Sequence, residues 1–380
     1  MYDAAISDSS YANWKPPGEL WQSMEADGIN YEIWKGSLAD LAVQQLVKRV
    51  QILVPFFIEG GTLIDLGDPD SSLERWTVFF LYQKKTGDLA PALSPYTFVG
   101  YSTVYRYFYY QAVTPPSSPA TKKQPIHKDA TDFDLSFPEL SFSSFPCRSR
   151  ISQFVILPPF HKGGNGSRLY NSVFDYYHQE AQTIEITVED PNEAFDDLRD
   201  INDLARLRKL PEFTEISINT KVIPRSKGPV PRDIVDLKAL EKIRTKTKIA
   251  PRQFHRVVEM QLLSKIPPGV KQTLIHQKPT ISGAELKAKQ HEYHLWQLLC
   301  KQRLYRHNKD MLIQLDRSER IEKLEQALGS VEVDYDRLLE ALKKRDGKSV
   351  SSGASNGKRS SSGDEDMEDG EPAAKKAKFT

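Results

Sequence analysis

The stretch SQFVILPPFHKGGNGSRLYNSVFDYYH, residues 152–178, decides the reading of this chain. Ser152–Leu157 is a short apolar run closed by Pro158 and Pro159, which cannot donate to a sheet ladder. Gly163, Gly164 and Gly166 follow. From about Ser167 the residues Leu169, Val173, Tyr176 and Tyr177 recur at helical spacing. The pattern is a strand, a glycine-rich loop and a helix. The first turn of a helix has N–H groups without carbonyl partners, and the helix dipole favours an anion there. Glycines let a phosphate reach the backbone with no side chain in the way. A diphosphate site is one use of such a loop; a tight turn between two elements is the plain alternative. A P-loop needs Gly-Lys-Ser/Thr, whereas Gly166 is followed by Ser167 and Arg168. A dinucleotide fingerprint needs a third glycine where Leu169 stands, and no repeated βαβ pattern follows.

Downstream, Thr183–Val188 reads as a strand that ends on Glu189, Asp190 and Pro191. Adjacent carboxylates disfavour double ionisation, which suits proton transfer; they also serve as ordinary helix caps. Asn192 opens a helix from Glu193 to about Leu207, ended near Pro211. Upstream, Arg75–Gln83 and Phe98–Tyr110 read as an antiparallel pair of strands. Ser37 looks like an N-cap for a helix carrying Leu38, Leu41, Leu46, Val50 and Leu53 to about Ile58, loosened by Pro55. Residues 1–36 are polar and aromatic with little periodicity. Residues 112–149 are Pro-, Ser- and Lys-rich at first, longer than a loop in a compact domain, and read as a flexible insertion. Beyond residue 211 the pattern is helical over 231–247, 251–265, 283–313 and 316–344, the last with a near-heptad stripe. Residues 346–380 cannot build a core and read as disordered, with a basic cluster Lys375–Lys378 that resembles a nuclear-import signal.

The chain has 380 residues, which suggests two or three domains. Its net charge of +1 gives no global field toward DNA or membrane, so no direct DNA binding is expected. Cys147 and Cys300 are too few for a disulfide framework or a thiolate zinc site. The N-terminus lacks the basic and apolar regions of a secretory signal, and no run approaches the roughly 18 apolar residues of a membrane span. A soluble protein inside the cell is expected. No metal is expected either: His291 and His294 are one residue short of the zinc-helix spacing, and Asp196, Asp197 and Asp200 lack the spacing and glycine of a calcium loop.

The loop His161–Gly166 fits the Gln/Arg-x-x-Gly-x-Gly/Ala pattern of the GNAT superfamily of N-acetyltransferases, with His161 in place of the first residue. Four blocks in order, Phe57–Glu59, Val99–Tyr107, Arg150–Leu157 and Thr183–Asp200, closely resemble the type B histone acetyltransferase catalytic subunit family. The resemblance covers roughly residues 25–345. It implies an α+β fold: a mixed, mainly antiparallel sheet of the GNAT type flanked by helices, then a helical C-terminal domain. The organisation it implies is a remnant of a longer N-terminal domain over 1–36, a catalytic core over 37–210 and a helical domain over 211–345. It also implies acetyl-CoA as co-substrate, with Phe154, Val155 and Ile156 along the pantetheine arm, His161, Lys162, Gly163, Gly164, Asn165, Gly166 and Ser167 at the diphosphate, and Asn192 as a further contact. Glu189 would be the general base, assisted by Glu59 and Asp190. Tyr105, Arg106 and Tyr107 would contact the histone. Glu59, Glu185, Glu189 and Asp190, in one groove, would attract a basic tail. The substrate implied is the tail of free, newly made histone, chiefly H-four, and the partner a WD-repeat histone-binding subunit near the 112–149 insertion. Cytoplasm and nucleus are the expected locations.

Overall fold

The computed structural model describes residues 13–67, 72–85, 94–108, 145–225, 228–271 and 283–352. The insertion lies outside them except for its last residues, where Cys147 already opens a strand; the basic cluster of the tail also lies outside. The chain divides into two units. One runs to Leu198 and takes in Arg244–Ala250; the other comprises Arg199–Ile243 and the chain from Pro251.

The first unit is built on a six-stranded sheet in sequence order: β1 Glu19–Ala26, β2 Ile29–Ser37, β3 Trp76–Lys84, β4 Tyr96–Phe108, β5 Cys147–Ile156 and β6 Thr183–Val188. Every neighbouring pair is antiparallel except β5 and β6, which are parallel. The region read as aperiodic up to residue 36 thus supplies two strands. They turn at Asp27 and Gly28, both at positive φ (53° and 74°), as a two-residue hairpin of this hand requires. The period-2 signal is absent because Tyr31, Glu32 and Ile33 are buried in succession. Burial raises the pKa of Glu32, but hydrogen bonds from Lys84 and Trp34, each 2.8 Å, outweigh it and the net shift is downward.

Helix α1, Leu41–Val50, is capped by Asp40, which accepts from the Ala42 N–H at 2.7 Å. Ser37 does not cap it: it is the last residue of β2 and pairs with Thr77. Pro55 opens a separate helical turn, Val54–Phe57, where its missing N–H costs nothing. Leu38 and the α1 residues Val43 and Val47 pack on Val78, Phe80, Tyr82, Tyr101 and Val155. The opposite sheet face, represented by Phe79, meets Tyr176 and Tyr177 of helix α2, Asn165–Gln179. Ile249 bridges Ile186 beyond β6, and Lys248 Nζ donates to the carbonyls of His178 and Glu180, both 2.8 Å, closing the end of α2.

Helices α3 Glu193–Leu207 and α4 Leu237–Thr247 are each shared between the units. The second unit's further long helices are α5 Pro251–Leu263, α6 Gly283–His307 and α7 Arg317–Ser352. Trp296, Tyr335, Leu338 and Leu342 are buried among them. The helix expected over 231–247 begins only at Leu237, and the one expected over 283–313 stops at His307 before a short turn, Lys309–Leu312. The last runs to Ser352, beyond the expected 344. Among the described residues no helix is long and apolar enough to cross a membrane.

Candidate active site

β5 and β6 run side by side from Cys147 opposite Thr183 to Ile151 opposite Val188. The Glu189 N–H makes the last link, to the Ile151 carbonyl at 2.9 Å. There the two strands part. Asp190 sits at φ 33°, a conformation costly for a non-glycine residue, and Pro191 takes the chain away. β5 runs on, with Phe154, Val155 and Ile156 still paired to Ser102, Tyr101 and Gly100 of β4. Among the described residues, no strand lies beside the other edge of β5 beyond Ile151. The gap is a groove of about 500 Å³, walled by Phe154, Phe160, Phe195 and Leu198. The Phe154 and Phe195 rings meet edge to face at 4.9 Å.

One end of the groove is the glycine loop. Lys162 and Gly164 both have positive φ (61° and 75°), and Gly164 is the N-cap of α2. The loop holds its shape through its own side chains. Asn165, 3% exposed, donates to the Phe160 carbonyl at 2.9 Å, and Arg168 donates to the Gly163 carbonyl and to Asn165 Oδ1 at 2.5 and 3.0 Å. His161, the departure from the family pattern, hydrogen-bonds through Nε2 to the Ile156 carbonyl at 2.7 Å and so ties the loop to the end of β5. His161, Lys162, Gly164, Gly166 and Ser167 line the groove; Gly163 and Asn165 do not. A groove with a bare strand edge, apolar walls and a helix start at one end fits a long ligand with a diphosphate, such as acetyl-CoA.

The other end carries the acids. Glu189 and Asp190 are exposed and line the groove. Glu189 Oε2 accepts from Ser152 Oγ at 2.5 Å, and Arg150 lies 3.7 Å from Oε1. Asn192 lines the groove and caps α3, its Oδ1 accepting from the Phe195 N–H at 2.9 Å. Glu59 is exposed in the turn after Phe57 and Ile58; those two line the groove and Glu59 does not. Glu185 does not join an acidic field. Arg148 at 3.2 Å and Arg244 at 3.6 Å neutralise it.

Tyr105, Arg106 and Tyr107 lie outside the groove, near the far end of β4. Tyr105 packs on Trp76 at 4.9 Å and accepts from Arg75 at 3.2 Å, and Arg106 donates to the Glu74 carbonyl at 3.1 Å. Tyr107 is 55% exposed, with the Arg150 guanidinium 5.9 Å from its ring. Arg150 is also the strand partner of Tyr105. It therefore joins the aromatic patch to Glu189. Sequence reading missed Arg150, Ser152, Phe195 and Leu198. The i, i+3 spacing of Phe195 and Leu198 after the Asn192 cap was the available signal for the last two.

Two family models match this chain: "Histone acetyl transferase HAT1 N-terminus" over residues 1–59 and "Fungal HAT1, C-terminal" over residues 230–266. The histone acetyltransferase type B catalytic subunit of Gibberella zeae is 48% identical over 344 residues, 88% of this chain and 68% of that one. The subunit of the same name from Pyricularia oryzae is 45% identical over 360 residues, covering 94% and 73%. The chain belongs to the type B histone acetyltransferase family. As a member of that family it is an acetyltransferase. A solved aminoglycoside acetyltransferase from a soil metagenome aligns over 52% of this chain and 93% of its own, at 14% identity and a TM-score of 0.26. That value leaves the fold of this type B acetyltransferase to be read from its own sheet.

Proposed function

We propose that this chain transfers the acetyl group of acetyl-CoA directly to lysine side chains in the N-terminal tail of free, newly synthesised histone, chiefly H-four, with Glu189 as general base. The observation that carries this reading is the parting of β5 and β6 at Glu189. It puts a bare strand edge, a helix-start loop and an exposed carboxylate around one groove.

At neutral pH roughly one lysine in 2,500 is free amine. A base within reach contributes about 10²- to 10⁴-fold. In this reading Glu189 takes one proton from the lysine ammonium. The nitrogen then bonds to the acetyl carbon, the carbon–sulfur bond breaks, and the nitrogen's second proton neutralises the leaving thiolate. Backbone groups of Phe154, Val155 and Ile156 hold the pantetheine arm, and an N–H there donates to the thioester carbonyl oxygen as charge builds on it. The loop from His161 to Ser167 holds the diphosphate, and Asn192 adds a contact. Glu59 and Asp190 assist at the amine, and Tyr105, Arg106 and Tyr107 hold the tail. Direct transfer is supported by the state of the thiols: Cys147 and Cys300 are fully buried, and burial pushes both pKa values up. A WD-repeat histone-binding subunit is the proposed partner. The proposed locations are cytoplasm and nucleus, tested by imaging a variant that lacks the Lys375–Lys378 charges.

The test of the chemistry is Glu189→Gln. Turnover should fall by about 100-fold while the thermal shift given by acetyl-CoA stays unchanged. Full activity across pH would overturn the base assignment. Side-by-side assays on a histone tail peptide, a peptide N-terminal amine and a polyamine test the substrate; preference for the small amines would overturn the histone reading.

A further inference from the structure

Opposite Thr103 and Val104 of β4, β5 offers Gln153 and Ile151, so Ser152 between them has no partner. An extra residue in one strand is a β-bulge, and a bulge re-aims a side chain. Here it sits one residue past Ile151, the last residue of β5 to pair with β6. Ser152 lines the groove, and its hydroxyl is 2.5 Å from Glu189 Oε2. A serine hydroxyl has one proton to donate, and an ionised carboxylate only accepts. The bond therefore fixes which way the carboxylate faces. Among the described residues the other oxygen, Oε1, has only Arg150 near it, at 3.7 Å, beyond hydrogen-bond reach.

We infer that Ser152 is a positioning residue for Glu189: the bulge aims its hydroxyl at Oε2, which holds the carboxylate in one rotamer and leaves Oε1 as the oxygen that takes the amine proton. The inference rests on Glu189 being the base. Without the donor, a carboxylate that is 45% exposed at the end of a strand turns toward solvent, and the geometry of proton transfer is lost.

The experiment is a double-mutant cycle on the full chain with acetyl-CoA and a histone tail peptide. Ser152→Ala should lower kcat by about 10- to 100-fold and leave the KM for acetyl-CoA unchanged. Ser152→Thr, which keeps the hydroxyl, should restore most of the loss. In a Glu189→Gln background Ser152→Ala should cost nothing further, because the two residues act as a unit. If Glu189→Gln is impaired and Ser152→Ala still costs its full factor on top, the positioning role is overturned and the base assignment stands. If Glu189→Gln is fully active, both fall. A Ser152→Ala enzyme with normal kcat, or a Thr variant as poor as Ala, overturns the positioning role alone.

Discussion

Glu259 in the second unit and Glu189 in the first each meet an arginine and a hydroxyl, yet the two clusters are built to opposite ends. Glu259 is 2% exposed. Arg303 Nε reaches both of its oxygens at 2.8 and 3.0 Å, and the Tyr335 hydroxyl donates to Oε2 at 2.9 Å. Its main-chain carbonyl accepts from Trp296 at 2.9 Å. Burial alone would lower the pKa of Arg303, but the Glu259 carboxylate more than offsets it and the guanidinium stays charged. Glu189 keeps one short hydroxyl bond and one distant arginine, itself 42% exposed. In the closed set both carboxylate oxygens are bonded by the protein itself. An open set keeps an oxygen for a substrate. The same kinds of group, an acid, an arginine and a hydroxyl, thus make one closed and one open cluster, which differ in burial and satisfaction.

The largest effect expected from that contrast is on folding. Glu259→Gln removes the only carboxylate bonded to Arg303 among the described residues and leaves a largely buried guanidinium, its side chain 14% exposed, without its counter-charge, so the second unit should lose about 3 kcal/mol. Urea unfolding of the variant measures this. A loss below about 1 kcal/mol would place Glu259 with the surface pairs and break the comparison.

Tyr335→Phe should cost less, about 1.5–3 kcal/mol, by removing the hydroxyl that donates to Glu259 and accepts from Arg303. It should also flatten the alkaline limb of the stability curve. Burial raises the pKa of Tyr335 and of Cys300 well above their ordinary values of 10.0 and 9.0, with Glu259 adding to both. The unfolded chain releases these protons at the ordinary values while the folded chain keeps them. Stability is therefore fully present below about pH 9 and falls as pH rises toward the folded-state values. Melting temperatures taken from pH 7 to 11 check the sign: a wild-type protein as stable at pH 11 as at pH 8 would show that these groups are not closed off.

How much of this was legible in the sequence follows from the same physics. The loop was legible because glycines at 163, 164 and 166 announce their geometry locally, and the strand end at Glu189 because Pro191 marks where β6 must stop. The sheet was only half legible. The β1–β2 hairpin hides its period because Tyr31, Glu32 and Ile33 are covered on both faces. The cap at Asp40 was assigned to Ser37 because both residue types cap helices, and only the pairing of Ser37 with Thr77 removes it from the helix. Within the site, the role of Ser152 was out of reach. A bulge is a mismatch between two strands 50 residues apart, and nothing in β5 alone reveals it. The sequence grouped Glu185 with Glu189 as a groove acid; its lower exposure, 12% against 45%, and its pairing with Arg148 and Arg244, one of them distant in the chain, set it apart.

The smallest effect expected is the one that sharpens the contrast most. Arg150 is 42% exposed and 3.7 Å from Glu189, so their attraction is screened by solvent and contributes about 0–1 kcal/mol to stability. Arg150→Ala should therefore move the urea midpoint hardly at all, and raising the salt concentration should change the wild type no more than the variant. Its effect belongs to the site instead. The guanidinium lies over the Tyr107 ring at 5.9 Å and 3.7 Å from Oε1, so its loss should alter the KM for a basic tail peptide rather than the melting temperature. A fall in stability as large as that of Glu259→Gln would mean that the acid–arginine pair at the groove is structural after all, and that burial is not what separates the two clusters.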